Sequence, residues 1–198
     1  YLVENLGLVG ESVSGSPYQA LDRAAARVPP GNSGVIFTPW LNGERSPIDD
    51  HHVRAGFFNQ SLDTTADDLI RAVFEGVAFN SRWLLGYVEK FTGRPLSELR
   101  AVGGGANSAV WCEIFADVLD RRILQVKDPI LAGLRAVAFL AAARLGFMAH
   151  GEIPDKVEIT AIYEPDPDRR RIYEDLYREY RKLYKVNRKI HARLNRTN

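Results

Sequence analysis

Apolar positions along the chain repeat with two rhythms, one helical and one strand-like. Ser16-Pro17 opens the first helical stretch, Ser as N-cap and Pro at the first helical position. Leu21, Ala24, Ala25 and Val28 form its apolar stripe, and Pro29-Pro30-Gly31 ends it. Val35 to Thr38 reads as a short buried strand, and Gly56-Phe57-Phe58 as another. Between them, residues 39–56 form a polar loop, long enough to suggest function or mobility. Thr65-x-x-Asp68 is a capping-box start for the longest predicted helix, from Ala66 to about Phe91. Its stripe is Leu69, Val73, Val77, Leu84 and Val88, widened by Phe74, Trp83 and Tyr87, which predicts burial between layers, and Gly93 suits its C-cap.

The second half repeats the alternation. Leu99 to Val102 reads as a strand, Gly103-Gly104-Gly105 as a turn, and Ala109 to Leu119 as a helix with Val110, Ile114, Phe115 and Val118 inward. Ile123 to Val126 is a further strand, and Pro129 marks a turn. Ala132 to Leu145 is apolar all round and predicts a central helix, capped by Gly146. Residues 157–162 read as an edge strand. From Asp168, the stripe Tyr173, Leu176, Tyr177, Tyr180, Leu183 and Tyr184 predicts a long amphipathic terminal helix. Strands alternating with helices place the chain in the α/β class.

Composition narrows the function classes. With 198 residues, 45% hydrophobic and 26% charged at a net +1, the chain is long enough for one large domain and is not disordered. Cys112 is the single cysteine, which excludes an intrachain disulfide framework and makes a reducing, cytoplasmic setting the expectation. The most apolar stretch lies between Arg135 and Arg144, far short of the ~20 residues a membrane span needs. Tyr1 is neither an initiator methionine nor part of a signal peptide, so the chain is expected to begin inside a longer protein. The stretch from Tyr180 to Asn198 carries seven basic residues and no acid, leaving about −6 for the rest. The body is therefore not expected to bind nucleic acid, and the basic tail reads as a solvated helix face.

The glycine turn is the most informative local feature. Three glycines allow a sharp turn and close ligand approach, and the following helix offers free N–H groups at its positive end. A phosphate fits such a place. No Gly-Lys-Ser/Thr follows, so this is not a Walker A loop. A dinucleotide reading stays open, with Gly103-x-Gly105-x-x-Ser108 on the phosphates and Asp128 on a ribose. A ligand-free tight turn is the other local alternative.

Residues 102–117, running Val-Gly-Gly-Gly-Ala-Asn-Ser-Ala-Val-Trp-Cys-Glu-Ile-Phe-Ala-Asp, resemble the GGGAxSxxWxxxxAD segment of FGGY-family carbohydrate kinases. Phe37 to Pro47 is similar to that family's FxPYLxGERxP segment. Gly56 to Phe79 resembles its second signature region, and Ala132 to Ala141 stands in the place of its ALGAAxLA helix. The resemblance implies a ribonuclease H-like (actin-like ATPase) domain, partial, with a long C-terminal helix. Residues 1–165 would form most of the C-terminal nucleotide-binding kinase domain, and 166–198 the terminal amphipathic helix and basic tail. ATP and Mg²⁺ are the implied cofactors, with a ketopentose such as xylulose, or a related polyol, as the phosphate acceptor. Gly104, Gly105, Ala106 and Asn107 are the implied nucleotide-binding residues, and Ser108 an N-cap.

The resemblance also implies that the sugar-binding first domain and the general-base aspartate lie upstream, with Tyr1 near the family's tryptophan position. No residue of this chain is then a catalytic base, and the isolated chain is expected to be inactive. The missing N-terminal kinase domain is the implied partner, and a second copy of the chain is a candidate one. A non-enzymatic kinase remnant that acts as an interaction module remains the alternative. The chain departs from the family pattern at Arg54-Ala55 and at Arg135, whose charge must reach a cleft, a carboxylate or solvent.

Other chemistry-bearing residues carry blander expectations. Asp49-Asp50-His51-His52 has metal-ligand types, but adjacent residues rarely converge on one ion, so a solvated loop is expected. Glu44 and Arg45 suit a local ion pair bracing the loop. Cys112 is expected to be a buried small hydrophobe, although a helix N-terminus nearby would lower its pKa. The tyrosine stripe is expected to pack rather than stack on bases, and His150 to be structural.

Overall fold

The computed structural model describes residues 16–196. The expectation about Tyr1 lies outside these residues. Ser16 caps helix α1 (Pro17–Arg27), with the Gln19 side chain returning to the Ser16 N–H in a capping box. Strand β1 (Ile36–Thr38) pairs antiparallel with β2 (Gly56–Phe58), Phe37 opposite Phe57. Helix α2 (Ala66–Thr92) starts at the predicted Thr65–Asp68 capping box and ends at Gly93, φ +70°. Strand β3 (Glu98–Ala101) leads through a 3₁₀ turn (Gly104–Asn107) into α3 (Ala109–Leu119) and then β4 (Arg122–Val126). A second 3₁₀ turn (Pro129–Leu131) precedes α4 (Ala132–Arg144), followed by β5 (Ile159–Tyr163) and α5 (Pro167–Leu194).

The second sheet has the order β3-β4-β5, with β3 and β4 parallel and β4 and β5 antiparallel. The β3-α3-β4 crossover is the α/β unit that the sequence rhythm predicts. One side of β3 pairs with β4, and its other edge has no partner strand among the described residues. Helix α2 lies directly on β1. At Gly76 a Cβ would stand 2.2 Å from the Phe37 carbonyl oxygen, so only glycine permits this approach.

The core runs between α1, α2, α3 and α5. Trp40, Ile70, Phe74, Phe79, Trp83, Ile114 and Val118 are buried there with Tyr173 and Tyr180. The terminal tyrosine stripe therefore packs, as expected. Tyr180 meets the rings of Trp40, Phe79 and Trp83 at centroid distances of 5.6, 5.6 and 6.4 Å. A polar knot crosses this core. Arg71 donates to Glu75 (2.8 Å), to the Ala25 carbonyl (2.9 Å) and to the Tyr173 oxygen (3.0 Å), while the Gly31 N–H and the Tyr173 hydroxyl donate to Glu75. Burial pushes the Glu75 carboxyl up from its ordinary value, against the pull of Arg71 and the hydrogen bonds from Gly31 and Tyr173.

Two expectations change. Along α2 the buried face is Ile70, Phe74, Ala78, Phe79, Trp83 and Leu85, whereas Leu84, Tyr87 and Val88 are 38, 51 and 36% exposed. Helical spacing marks both rows as apolar, and the packing of α1, β1, α3 and α5 selects one of them. Helix α4 has no buried residue at all, with Leu134 and Val137 70 and 65% exposed. An all-round apolar helix is central only where another layer covers it, and the described residues supply none.

Candidate functional site

The glycine turn sits at the C-terminal end of β3, between two parallel strands and before α3. Open α/β sheets bind ligands at such strand ends. Gly104, Gly105 and Asn107 are exposed, and Ala106 is buried. Neighbouring elements brace the turn at Gly103, Ala106 and Ser108. The Gly103 N–H donates to the Pro129 carbonyl (2.8 Å), tying it to the turn before α4. The Ala106 carbonyl accepts the Gln125 Nε2 (2.6 Å), and the Tyr163 hydroxyl donates to the Gln125 Oε1 (3.2 Å). Ser108 caps α3 by accepting the Trp111 N–H at 3.0 Å, and its own hydroxyl donates to the Asp22 carboxylate at 2.6 Å.

These braces leave two groups without a partner among the described residues. The N–H groups of Gly104 and Gly105 have no acceptor among the described residues. A Cβ at Gly104 would meet nothing within 4 Å, so the turn is open on that side. At Gly105 it would strike the Trp111 ring, Cζ3 at 2.8 Å. Two unpartnered N–H donors on a side-chain-free turn are the right chemistry for a phosphate oxygen. Asp22, which accepts the Ser108 hydroxyl, stands beside the positive end of α3. Cys112, in the same helical turn, is buried, and burial followed by the Glu113 and Asp22 charges pushes its thiol up to about 11. Burial meets the expectation for Cys112, and the lowered pKa does not occur.

Gly104 to Asn107 therefore form one continuous turn. Asp128 comes close to it, because Pro129, the next residue, receives the Gly103 N–H. Asp22, Gln125 and Tyr163 carry no local motif, and the sequence offers no sign that they meet the turn. Arg135 donates to the Lys127 carbonyl (2.8 Å), which accounts for its charge without a carboxylate. Arg54 turns back on its own loop, donating to the His51 (2.8 Å) and Val53 (2.7 Å) carbonyls.

The 39–56 loop folds onto α2 and α5. Glu44 accepts the backbone N–H groups of Arg45 and Ser46 and the Asn80 amide, so it braces the loop through the main chain instead of an Arg45 ion pair. Asp50 accepts the His52 N–H and the Tyr184 hydroxyl. Among the described residues no three His, Cys, Asp or Glu side chains gather as a metal site.

A cavity of about 490 Å³ opens between α2, β3 and α3. Leu84, Val88, Leu99 and Phe115 line it, together with Gly105 and Ala106 of the glycine turn. Its walls suit hydrocarbon rather than polyphosphate. No described helix is long and apolar enough to cross a membrane.

Residues 2–145 match the model of the C-terminal domain of the FGGY family of carbohydrate kinases. Across 179 residues the chain is 29% identical to a xylulose kinase of Staphylococcus epidermidis, covering 89% of this chain and 36% of that protein. It is 30% identical over 170 residues to a gluconokinase of Bacillus subtilis, covering 86% and 32%. The solved ligand-bound xylulose kinase of Lactobacillus acidophilus superimposes with a TM-score of 0.83 at 26% identity, over 95% of this chain and 37% of that one. The chain thus spans about a third of the length of the curated relatives it matches.

Proposed function

The chain belongs to the FGGY family of carbohydrate kinases and has their ribonuclease H-like (actin-like ATPase) fold, and from that premise we propose that it forms the nucleotide-binding half of an ATP-dependent sugar kinase. The observation that carries this reading is the exposed turn at Gly104-Gly105, with two N–H donors free of any partner among the described residues. In the reaction the turn holds a phosphate of ATP and Asn107 and Ala106 flank the nucleotide. Gln125 holds the Ala106 carbonyl in place, and Tyr163 in turn holds Gln125. When bound, ATP supplies the phosphoryl group and Mg²⁺ neutralises its charge, entering as the nucleotide complex. Catalysis of this kind rests on positioning and charge stabilisation.

The acceptor is a ketopentose such as xylulose, or a related polyol; the xylulose kinase and ribulokinase names support this, whereas the gluconokinase name stands for a sugar acid. Residues 1–165 make up most of the nucleotide-binding domain, and 166–198 its terminal helix and basic tail. The sugar site belongs to a first kinase domain, and the catalytic base to the start of this second domain, in a cytoplasmic protein. The β3 edge and α4, which have no partner strand and no covering layer among the described residues, and the apolar cavity favour this reading, since such a surface in water calls for a covering layer.

The test is a nucleotide titration and a coupled kinase assay on the purified chain. Weak binding of ATP, stronger than that of NAD, with no turnover of D-xylulose, is the expected result. Preference for NAD would restore the dinucleotide reading. Robust ATP-dependent phosphorylation of D-xylulose would overturn the division of labour between two domains.

A further inference from the structure

Asp22 lies on α1, remote in sequence from the glycine turn, yet its carboxylate receives the Ser108 hydroxyl at 2.6 Å. Ser108 is the N-cap of α3, and its Oγ in turn accepts the Trp111 N–H at 3.0 Å. An acidic group thus stands one hydroxyl away from the end of α3 where the helix dipole is positive. A carboxylate there stabilises the helix, and it cancels the attraction that the same end would exert on a phosphate. Burial raises the neighbouring Cys112 thiol, and the Glu113 and Asp22 charges add to it. What remains for a ligand is the pair of N–H groups at Gly104 and Gly105, which have no acceptor among the described residues.

We propose that Asp22 is a specificity-determining residue of the nucleotide site, neutralising the positive end of α3 so that the glycine turn recognises nucleotide through hydrogen bonds and gains little from added phosphate charge. This rests on the reading of the turn as the nucleotide site. It gives the site a defined ligand preference. Products and substrates that differ mainly in phosphate number bind it with similar strength, so ADP is not retained less tightly than its charge difference from ATP allows elsewhere.

The test compares adenosine, AMP, ADP and ATP on the full chain without metal at fixed ionic strength. The readout is the amide resonances of Gly104 and Gly105. Asp22→Asn keeps an acceptor for the Ser108 hydroxyl and removes the charge. In this variant the ratio of ATP to adenosine affinity rises about two- to fivefold over that of the unaltered chain, the span a helix-terminal charge commonly produces. A purely structural role for Asp22 would shift all four ligands equally, and that result overturns the proposal. The unaltered chain supplies a second measurement, independent of how the variant folds. A steep rise in its affinity from AMP to ATP also overturns the proposal. Failure of every nucleotide to perturb Gly104 and Gly105 removes the nucleotide reading itself and the proposal with it, and is distinguishable from a flat response in the variant alone.

Discussion

Adding one methyl group at Gly105 or at Gly104 should give opposite results, although the two residues are adjacent. Neither has a positive φ, so alanine is compatible with the backbone at both. At Gly105 the new Cβ would lie 2.8 Å from Trp111 Cζ3 and 3.0 Å from Cε3. Carbon contacts are comfortable at ~3.5–4.0 Å, so the ring has to move by several tenths of an ångström or more. It is poorly placed to do so. The Trp111 indole N–H donates to the Phe74 carbonyl at 3.1 Å, and the ring stacks on Phe74 at 4.8 Å. Overpacking of this kind costs about 1–3 kcal/mol. At Gly104 the Cβ meets open space, and the loss of backbone freedom in the unfolded chain should stabilise by about 0.4–1 kcal/mol.

Equilibrium urea unfolding, followed by far-ultraviolet circular dichroism, measures both changes. In a Trp111→Leu background the Gly105→Ala penalty should shrink to a few tenths of a kcal/mol, because the clashing ring is gone. Nucleotide binding should weaken in Gly104→Ala without any loss of stability, which separates ligand approach from folding. A Gly105→Ala chain as stable as the original would refute the steric argument. So would equal losses at the two positions.

Two further outcomes follow from the buried polar groups. Arg71→Met leaves the Glu75 carboxylate, 1% exposed, without its cation and should destabilise by about 3–5 kcal/mol, measured by the same unfolding experiment. Burial holds the Tyr173 and Tyr180 hydroxyls above their ordinary value of 10.0, so above that pH the unfolded chain releases protons that the folded chain keeps. Their stabilising contribution is complete below about pH 10 and is lost as pH rises past it. The melting temperature should fall there, and tyrosinate absorbance of the folded chain should stop short of all eight tyrosines. Full titration of the eight without unfolding would contradict their burial.

Much of the architecture is local and was legible in the residues. Ser16 and Thr65 announce their helices because a capping side chain bonds within three residues of itself. Gly93 ends α2 because a left-handed residue suits glycine. The glycine turn is visible for the same reason, since its glycines are contiguous. The family resemblance rides on such contiguous segments, and the match to residues 2–145 bears it out.

What stayed hidden depends on partners far along the chain. Periodicity marks α2 as apolar on more than one row, and only the arrival of α1, β1, α3 and α5 decides that Ile70, Phe74 and Phe79 face inward while Leu84 and Val88 border a cavity. The composition of α4 says that it avoids water, and the described structure shows that nothing there covers it. Asp22 is an ordinary polar residue of α1 until folding carries it to Ser108, 86 positions away. Tyr173 reads as one member of a stripe, yet it reaches 98 positions back to Glu75. Caps, turns and glycines act over a few residues and are written in the sequence. Helix faces, buried ion pairs and the charge beside the glycine turn depend on distances between remote residues, and only the tertiary structure sets those.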